Sequence, residues 1–203
     1  MLAPKASRPF SFIDMEKAKL RQVYKQKRNE LSLEEVKHLD DLLLEELKAY
    51  DWSGIKYLHC YLSIEKFKEY NTLPFIEWIW KHFPEITIVI SKSDFQSNEL
   101  THYSFFKDTS LELNSWGIPE PIVAEEIPPT AIDAIITPML VVDILGNRVG
   151  YGKGFYDRFF VSCKEEVKKL GVSYFPPVDA IDDIQEWDIP IDLAFTPGKT
   201  FVF

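Results

Sequence analysis

Residues 14–31 place apolar side chains at helical spacing in a locally basic segment, with Lys17, Lys19, Arg21, Lys25, Lys27 and Arg28 set against Asp14, Glu16 and Glu30. This pattern predicts an amphipathic helix. Ser32-Leu33-Glu34-Glu35 has the form of a capping box, in which the serine and the second glutamate each satisfy a free backbone N–H. A second helix should follow through Leu39, Leu42, Leu43 and Leu47 to about Tyr50, ended by the turn at Trp52-Ser53-Gly54. Strands and helices then alternate. Residues 55–62 read as a strand. Asn71 or Thr72 caps a helix with Pro74 in its first turn, running to about His82. The short β-branched run 86–90 has the character of a buried parallel strand. Residues 100–106 form another strand, and 107–130, with four prolines, read as loop. A strand over 131–137 continues toward Val142. A helix is predicted over 155–170, then late strands at 171–175 and 193–196. The alternation implies a three-layer α/β/α domain, with a largely parallel sheet covered by helices on both faces.

Composition agrees with one folded domain. The 203 residues are 46% hydrophobic, with five Trp, nine Tyr and 15 Phe, enough to build a full core. Residues 14–203 are read as a single catalytic domain, and 1–13, with Pro4 and Pro9, as a flexible arm. No charge-free run approaches the ~20 apolar residues of a membrane span. The N-terminus shows no apolar signal core, and Cys60 and Cys163 are isolated. A cytoplasmic, monomeric protein with reduced thiols is expected. The formal net charge of −9 argues against nucleic acid. It also means that an anionic ligand must be drawn by a local cluster of cations.

Such a cluster lies at 145–158, Leu-Gly-Asn-Arg-Val-Gly-Tyr-Gly-Lys-Gly-Phe-Tyr-Asp-Arg. Glycines alternate at 150, 152 and 154, with Arg148 before them and Lys153 between two of them, and a helix is predicted to follow. Glycines at this spacing let the backbone approach a ligand closely, so that its N–H groups converge on an anion at a helix start. The order of residues is neither a Walker A loop nor a dinucleotide fingerprint, because Lys153 precedes Gly154 and the third glycine comes one residue early. A glycine turn is often only structural, but the charges packed around this one point to a polyphosphate. Asp157, in the first turn of the helix, could simply complement the dipole; beside a polyphosphate it is a candidate Mg²⁺ ligand.

Arg148-Val149-Gly150-Tyr151-Gly152-Lys153-Gly154-Phe155-Tyr156-Asp157 closely resembles the signature of the 5-formyltetrahydrofolate cyclo-ligase (methenyltetrahydrofolate synthetase) family. The resemblance extends to further blocks in family order. They are Lys17-Ala18-Lys19-Leu20-Arg21, then Leu62-Ser63 with Glu69-Tyr70-Asn71-Thr72, and then Ser115-Trp116-Gly117-Ile118-Pro119-Glu120-Pro121. Asp133, Pro138 and Asp143 follow, and Asp188 with Asp192 closes the series. Ser91-Lys92 stands where the family often has Pro-Arg.

The resemblance implies a fold similar to the sugar-phosphate isomerase and CoA-transferase-like group. It also implies an ATP-dependent reaction that converts 5-formyltetrahydrofolate, polyglutamylated or not, to 5,10-methenyltetrahydrofolate with release of ADP and phosphate. Lys17 and Arg21 would contact ATP phosphates, with Arg148, Gly150, Gly152, Lys153 and Gly154 forming the phosphate loop and Phe155 and Tyr156 lying beside it. Arg148 and Lys153 would be catalytic. Asp157 and Asp188 would hold Mg²⁺, and Leu62, Glu69, Trp116, Phe155 and Tyr156 would hold the folate. Two other readings compete: a phosphotransferase on a related sheet, which would lack the Trp116 block, and a binding protein without turnover, which would not need to keep Lys153 and Asp157.

Overall fold

The computed structural model describes residues 15–203; the predicted arm over 1–13 lies outside the described residues. The chain opens with α1 (Lys17–Glu30) and α2 (Leu33–Ala49). The predicted capping box is formed, with Glu35 N–H donating to Ser32 Oγ at 3.2 Å and Ser32 N–H donating to Glu35 Oε2 at 2.7 Å. Next come β1 (Tyr57–His59), α3 (Leu73–His82) with proline in its first turn, β2 (Thr87–Asp94) and β3 (Glu99–Phe105). A small antiparallel pair follows, β4 (Leu111–Leu113) with β5 (Pro119–Pro121), and then β6 (Ala134–Pro138). The short β7 (Val141–Val142) and β8 (Arg148–Val149) form a second antiparallel pair before α4 (Phe155–Ser162). The chain closes with β9 (Lys168–Val172), β10 (Leu193–Thr196) and β11 (Lys199–Val202).

Seven strands form the main sheet in the order β11-β10-β9-β6-β1-β2-β3. The five inner strands pair in parallel, and β3 and β11 add antiparallel edges. Because the inner strands are covered on both sides, they are nearly continuous apolar runs, and successive side chains go to opposite cores. Leu58, Ile88, Ile90, Ile136 and Phe195 join Leu43 and Leu47 of α2 and Phe75, Ile76 and Ile79 of α3. Val89, Ile135 and Ala194 join Phe159 and Phe160 of α4 on the other face. A third core lies at one end of the sheet, where Leu20 and Tyr24 of α1 pack on Leu140, Val141 and Val149. The three-layer α/β/α reading therefore holds, with α1 laid across the edge where β6 ends.

The strand order reverses at β1: the chain leaves it for β2 on one side and later for β6 on the other. Connections depart in opposite directions there and leave a crevice at the carboxyl ends, the usual ligand position of open α/β sheets.

Four predictions need correction. The helix expected over 155–170 stops at Ser162, where Cys163 N–H caps Phe160 C=O at 3.2 Å. Leu170 and Val172 are claimed by the sheet instead, so the strand expected at 171–175 begins at Lys168. The 107–130 loop carries the β4–β5 pair, and the β6 strand breaks before Val141 to form the β7–β8 pair.

Candidate active site

The glycine segment lies between β8 and α4, as the sequence predicts. Gly152 and Gly154 have φ of +88° and +71°, in the left-handed region that only glycine enters cheaply. Among the described residues, the N–H groups of Tyr151, Gly152, Lys153 and Gly154 donate to no acceptor. Free amides in a glycine turn just ahead of a helix suit an anion. Lys153 is exposed and its ammonium forms no ion pair among the described residues, leaving its charge available to a ligand.

Helix α1 brings further cations to this loop. Arg21 donates from Nε to Gly150 C=O at 3.0 Å, and its guanidinium covers Gly152. Lys17, one turn earlier on the same face, forms an ion pair with Asp188. Arg148 is buried below the loop, where Nη2 donates to Asp157 Oδ1 at 2.7 Å and Nη1 to Ile189 C=O. Its guanidinium lies over the Phe160 ring, 4.7 Å from the centroid. Burial lowers the pKa of Arg148, and Asp157 opposes that shift.

The predicted folate residues lie on the adjoining surface. Leu62 and Glu69 are buried after β1, on either side of a 3-10 turn over Glu65–Phe67. Glu69 Oε2 accepts Ile64 N–H at 2.7 Å. Burial pushes the Glu69 carboxyl above its ordinary range, while the Ile64 amide, the Tyr151 hydroxyl and the Arg28 charge pull it back. An aromatic wall stands nearby. Trp116 stacks on Phe95 at 4.9 Å, and Phe95 meets Phe155 edge-on at 5.5 Å. The Trp116 carbonyl accepts Lys66 Nζ at 2.8 Å, which ties this loop to the 3-10 turn. Half of the Trp116 surface is exposed, so a flat apolar face remains open to a ligand. Tyr156 is packed differently, toward His59 and Phe160 at 6.1 Å each.

A profile described as the 5-formyltetrahydrofolate cyclo-ligase family matches residues 13–197. The chain belongs to that family. As a cyclo-ligase of folate one-carbon chemistry, it shares 29% identity with the Escherichia coli 5-formyltetrahydrofolate cyclo-ligase over 137 residues, 66% of this chain and 74% of the relative. The Mycoplasma genitalium cyclo-ligase is 27% identical over 191 residues, 91% of this chain and 99% of that one. The structure of the Aquifex aeolicus 5,10-methenyltetrahydrofolate synthetase matches with a TM-score of 0.74 at 29% identity, covering 92% of both chains. That of the Mycoplasma pneumoniae 5,10-methenyltetrahydrofolate synthetase gives 0.70 at 25% identity, covering 88% of this chain and 97% of that one.

Beside the predicted residues stand four that sequence reasoning did not single out for a role: Arg28, Tyr151, Phe67 and Phe95. Arg28 had a readable signal: positions 17, 21, 24 and 28 share one face of α1, and Tyr24 and Arg28 on it are buried. Phe95 had none, since it follows β2 in sequence and reaches the wall only through the β2–β3 turn.

The donor set fits Mg²⁺ in the way expected of a nucleotide-bound ion. Asp157 and Asp188 each engage a cation through one oxygen, and Asp157 Oδ2 and Asp188 Oδ1 have no partner among the described residues. Among the described residues no group of three or more acidic, His or Cys ligands exists. A site completed by phosphate oxygens and water needs only one or two carboxylates.

Proposed function

We propose that the chain uses MgATP to close 5-formyltetrahydrofolate to 5,10-methenyltetrahydrofolate, releasing ADP and phosphate. The observation that carries this reading is that a glycine loop braced by Arg21 and underlain by Arg148 runs directly into Phe155, which meets the stacked Phe95 and Trp116 rings.

The residues follow from the chemistry. A formamide oxygen is a poor leaving group and must be activated. In the proposed route it attacks the γ-phosphorus of ATP, forming one P–O bond as the bond to ADP breaks. N10 then attacks the formyl carbon and loses its proton, and phosphate departs with the former formyl oxygen as the ring closes. Such a transfer depends on in-line placement and charge stabilisation, with no covalent nucleophile from the protein. The loop amides and Lys153 would hold the γ-phosphoryl, Arg148 would neutralise charge developing on it, and Lys17 and Arg21 would position the polyphosphate. Asp157 and Asp188 would hold Mg²⁺, which when bound supplies charge neutralisation between phosphate oxygens. Glu69 would accept the pterin N–H groups, with Leu62, Trp116, Phe155 and the edge of Tyr156 enclosing the rings.

Two further features support a cytoplasmic setting for this reaction. Cys60 and Cys163 are both free thiols, and no helix among the described residues is long and apolar enough to cross a membrane. The test is the absorbance of the methenyl product when the protein meets 5-formyltetrahydrofolate, Mg²⁺ and ATP. An ATP-dependent rise is expected, and its absence while both ligands bind would refute turnover.

A further inference from the structure

Of the basic residues of α1, only Arg28 is buried. Its Nη1 donates to the Tyr151 hydroxyl at 3.4 Å and its Nη2 to Met139 C=O at 3.4 Å, and it forms no ion pair with a carboxylate among the described residues. A buried guanidinium without a directly paired anion is costly, so it should serve something nearby. The nearest candidate is Glu69, reached through Tyr151. A guanidinium can only donate, so the Tyr151 oxygen accepts from Arg28 and its proton is left for the Glu69 carboxylate. The Tyr151 ring is held from both sides, by Phe67 at 5.4 Å and by the Lys25 ammonium at 5.1 Å. Tyr151 also stands between Gly150 and Gly152, in the loop whose amides are free for phosphate.

We propose that Tyr151, oriented by Arg28, positions the Glu69 carboxylate for the pterin and thereby couples the folate pocket to the phosphate loop. This inference rests on the folate and ATP reading above and deepens it. A loop that tightens on a polyphosphate carries the Tyr151 hydroxyl with it, so occupation of one site sets the geometry of the other. Such coupling is reciprocal: nucleotide should tighten folate by the factor by which folate tightens nucleotide. The groups facing Glu69 are Arg28 from α1, Tyr151 from the loop, Tyr61 from the segment after β1 and Tyr156 from α4. Of these, Arg28 and the Tyr151 hydroxyl favour the ionised carboxylate, the form that accepts N–H groups. Removing the hydroxyl therefore moves the acid limb of folate affinity to higher pH.

The experiment titrates wild type, Tyr151→Phe and Arg28→Lys with 5-formyltetrahydrofolate, with and without Mg²⁺ and a non-hydrolysable ATP analogue. Wild type is expected to bind folate about fivefold or more tightly with the analogue present, the lower range of ordinary coupling. Tyr151→Phe should weaken folate about tenfold and bring the ratio close to one, while affinity for the analogue alone changes less than about threefold, a split that general loosening would not give. Arg28→Lys should fall between the two; if it does not fold, Tyr151→Phe decides alone. Unchanged folate affinity and coupling in Tyr151→Phe, or equal loss of folate and nucleotide, would overturn the relay while wild-type turnover stands. Absence of ATP-dependent turnover in wild type would overturn the reaction itself and the relay with it.

Discussion

The guanidinium of Arg21 occupies the space where a side chain on Gly152 would begin: a β-carbon there would lie 3.0 Å from Arg21 Cζ. The same arginine donates to Gly150 C=O, so one α1 side chain braces two of the three loop glycines. Gly152→Ala should therefore fail twice. Its φ of +88° is strained for alanine, at a cost of about 1–2 kcal/mol in denaturant stability. The methyl also pushes Arg21 from its place, and KM for ATP should rise by roughly tenfold, one lost charge-assisted contact. Steady-state kinetics at saturating folate would show it; an unchanged KM would remove Arg21 from the phosphate site.

Lys153 offers a cleaner separation of chemistry from folding. It is exposed and unpaired among the described residues, so Lys153→Ala should leave stability within about 0.5 kcal/mol. It should lose about 2–4 kcal/mol of transition-state stabilisation, seen as a fall in kcat/KM on the order of 30- to 1,000-fold. Wild-type kcat/KM in this variant would refute its catalytic role.

Trp116 should affect folate alone. Its ring stacks on Phe95 and leaves half its surface open. Trp116→Ala is expected to raise KM for 5-formyltetrahydrofolate by about 5- to 20-fold, the scale of one aromatic contact with its buried area. KM for ATP should stay within about twofold; an equal rise in both would show that the loop shapes the whole crevice.

Asp40 gives a pH signature remote from catalysis. Burial raises its carboxyl to about 6, although the Tyr174 hydroxyl donates to it at 2.5 Å. A folded pKa above the unfolded value of 3.8 means that its contribution to stability is full below about 4 and is lost as pH rises through about 6. Asp40→Asn lacks this titration. The Tm of wild type minus that of Asp40→Asn should fall as pH goes from 4 to 7, and a flat difference would contradict the shift.

The parallel core was legible because its strands are buried on both faces: Ile86 to Ile90 and Leu193 to Thr196 are apolar runs that only a covered sheet can use. The glycine turn between β8 and α4 was equally legible, since glycine and charge are compressed there into ten consecutive residues. The end of α4 was not. Leu170 suits a helix face as well as a strand, and only the pairing of β9 with β6 and β10 decides between them. The far side of the pocket was hidden for a related reason. Phe95 and Trp116 are distant in sequence and meet only because β2 and β3 turn back on themselves, a contact that no local pattern encodes.

The ion pairs around the loop bear on which anions it admits. Lys17 is matched by Asp188 and Arg148 by Asp157. An anion that engaged Lys17 or Arg148 would have to take the cation from its carboxylate and leave that carboxylate uncompensated, which is expensive where both partners are largely buried. A ligand carrying both signs would face no such deficit: its phosphates would replace the aspartates at Lys17 and Arg148, and Asp157 and Asp188 would be left to hold its divalent ion. The partners would be exchanged and local neutrality kept. The resting pairs would thus favour a metal-bound polyphosphate over free phosphate at these two cations, while Lys153 and the free loop amides stay open to either.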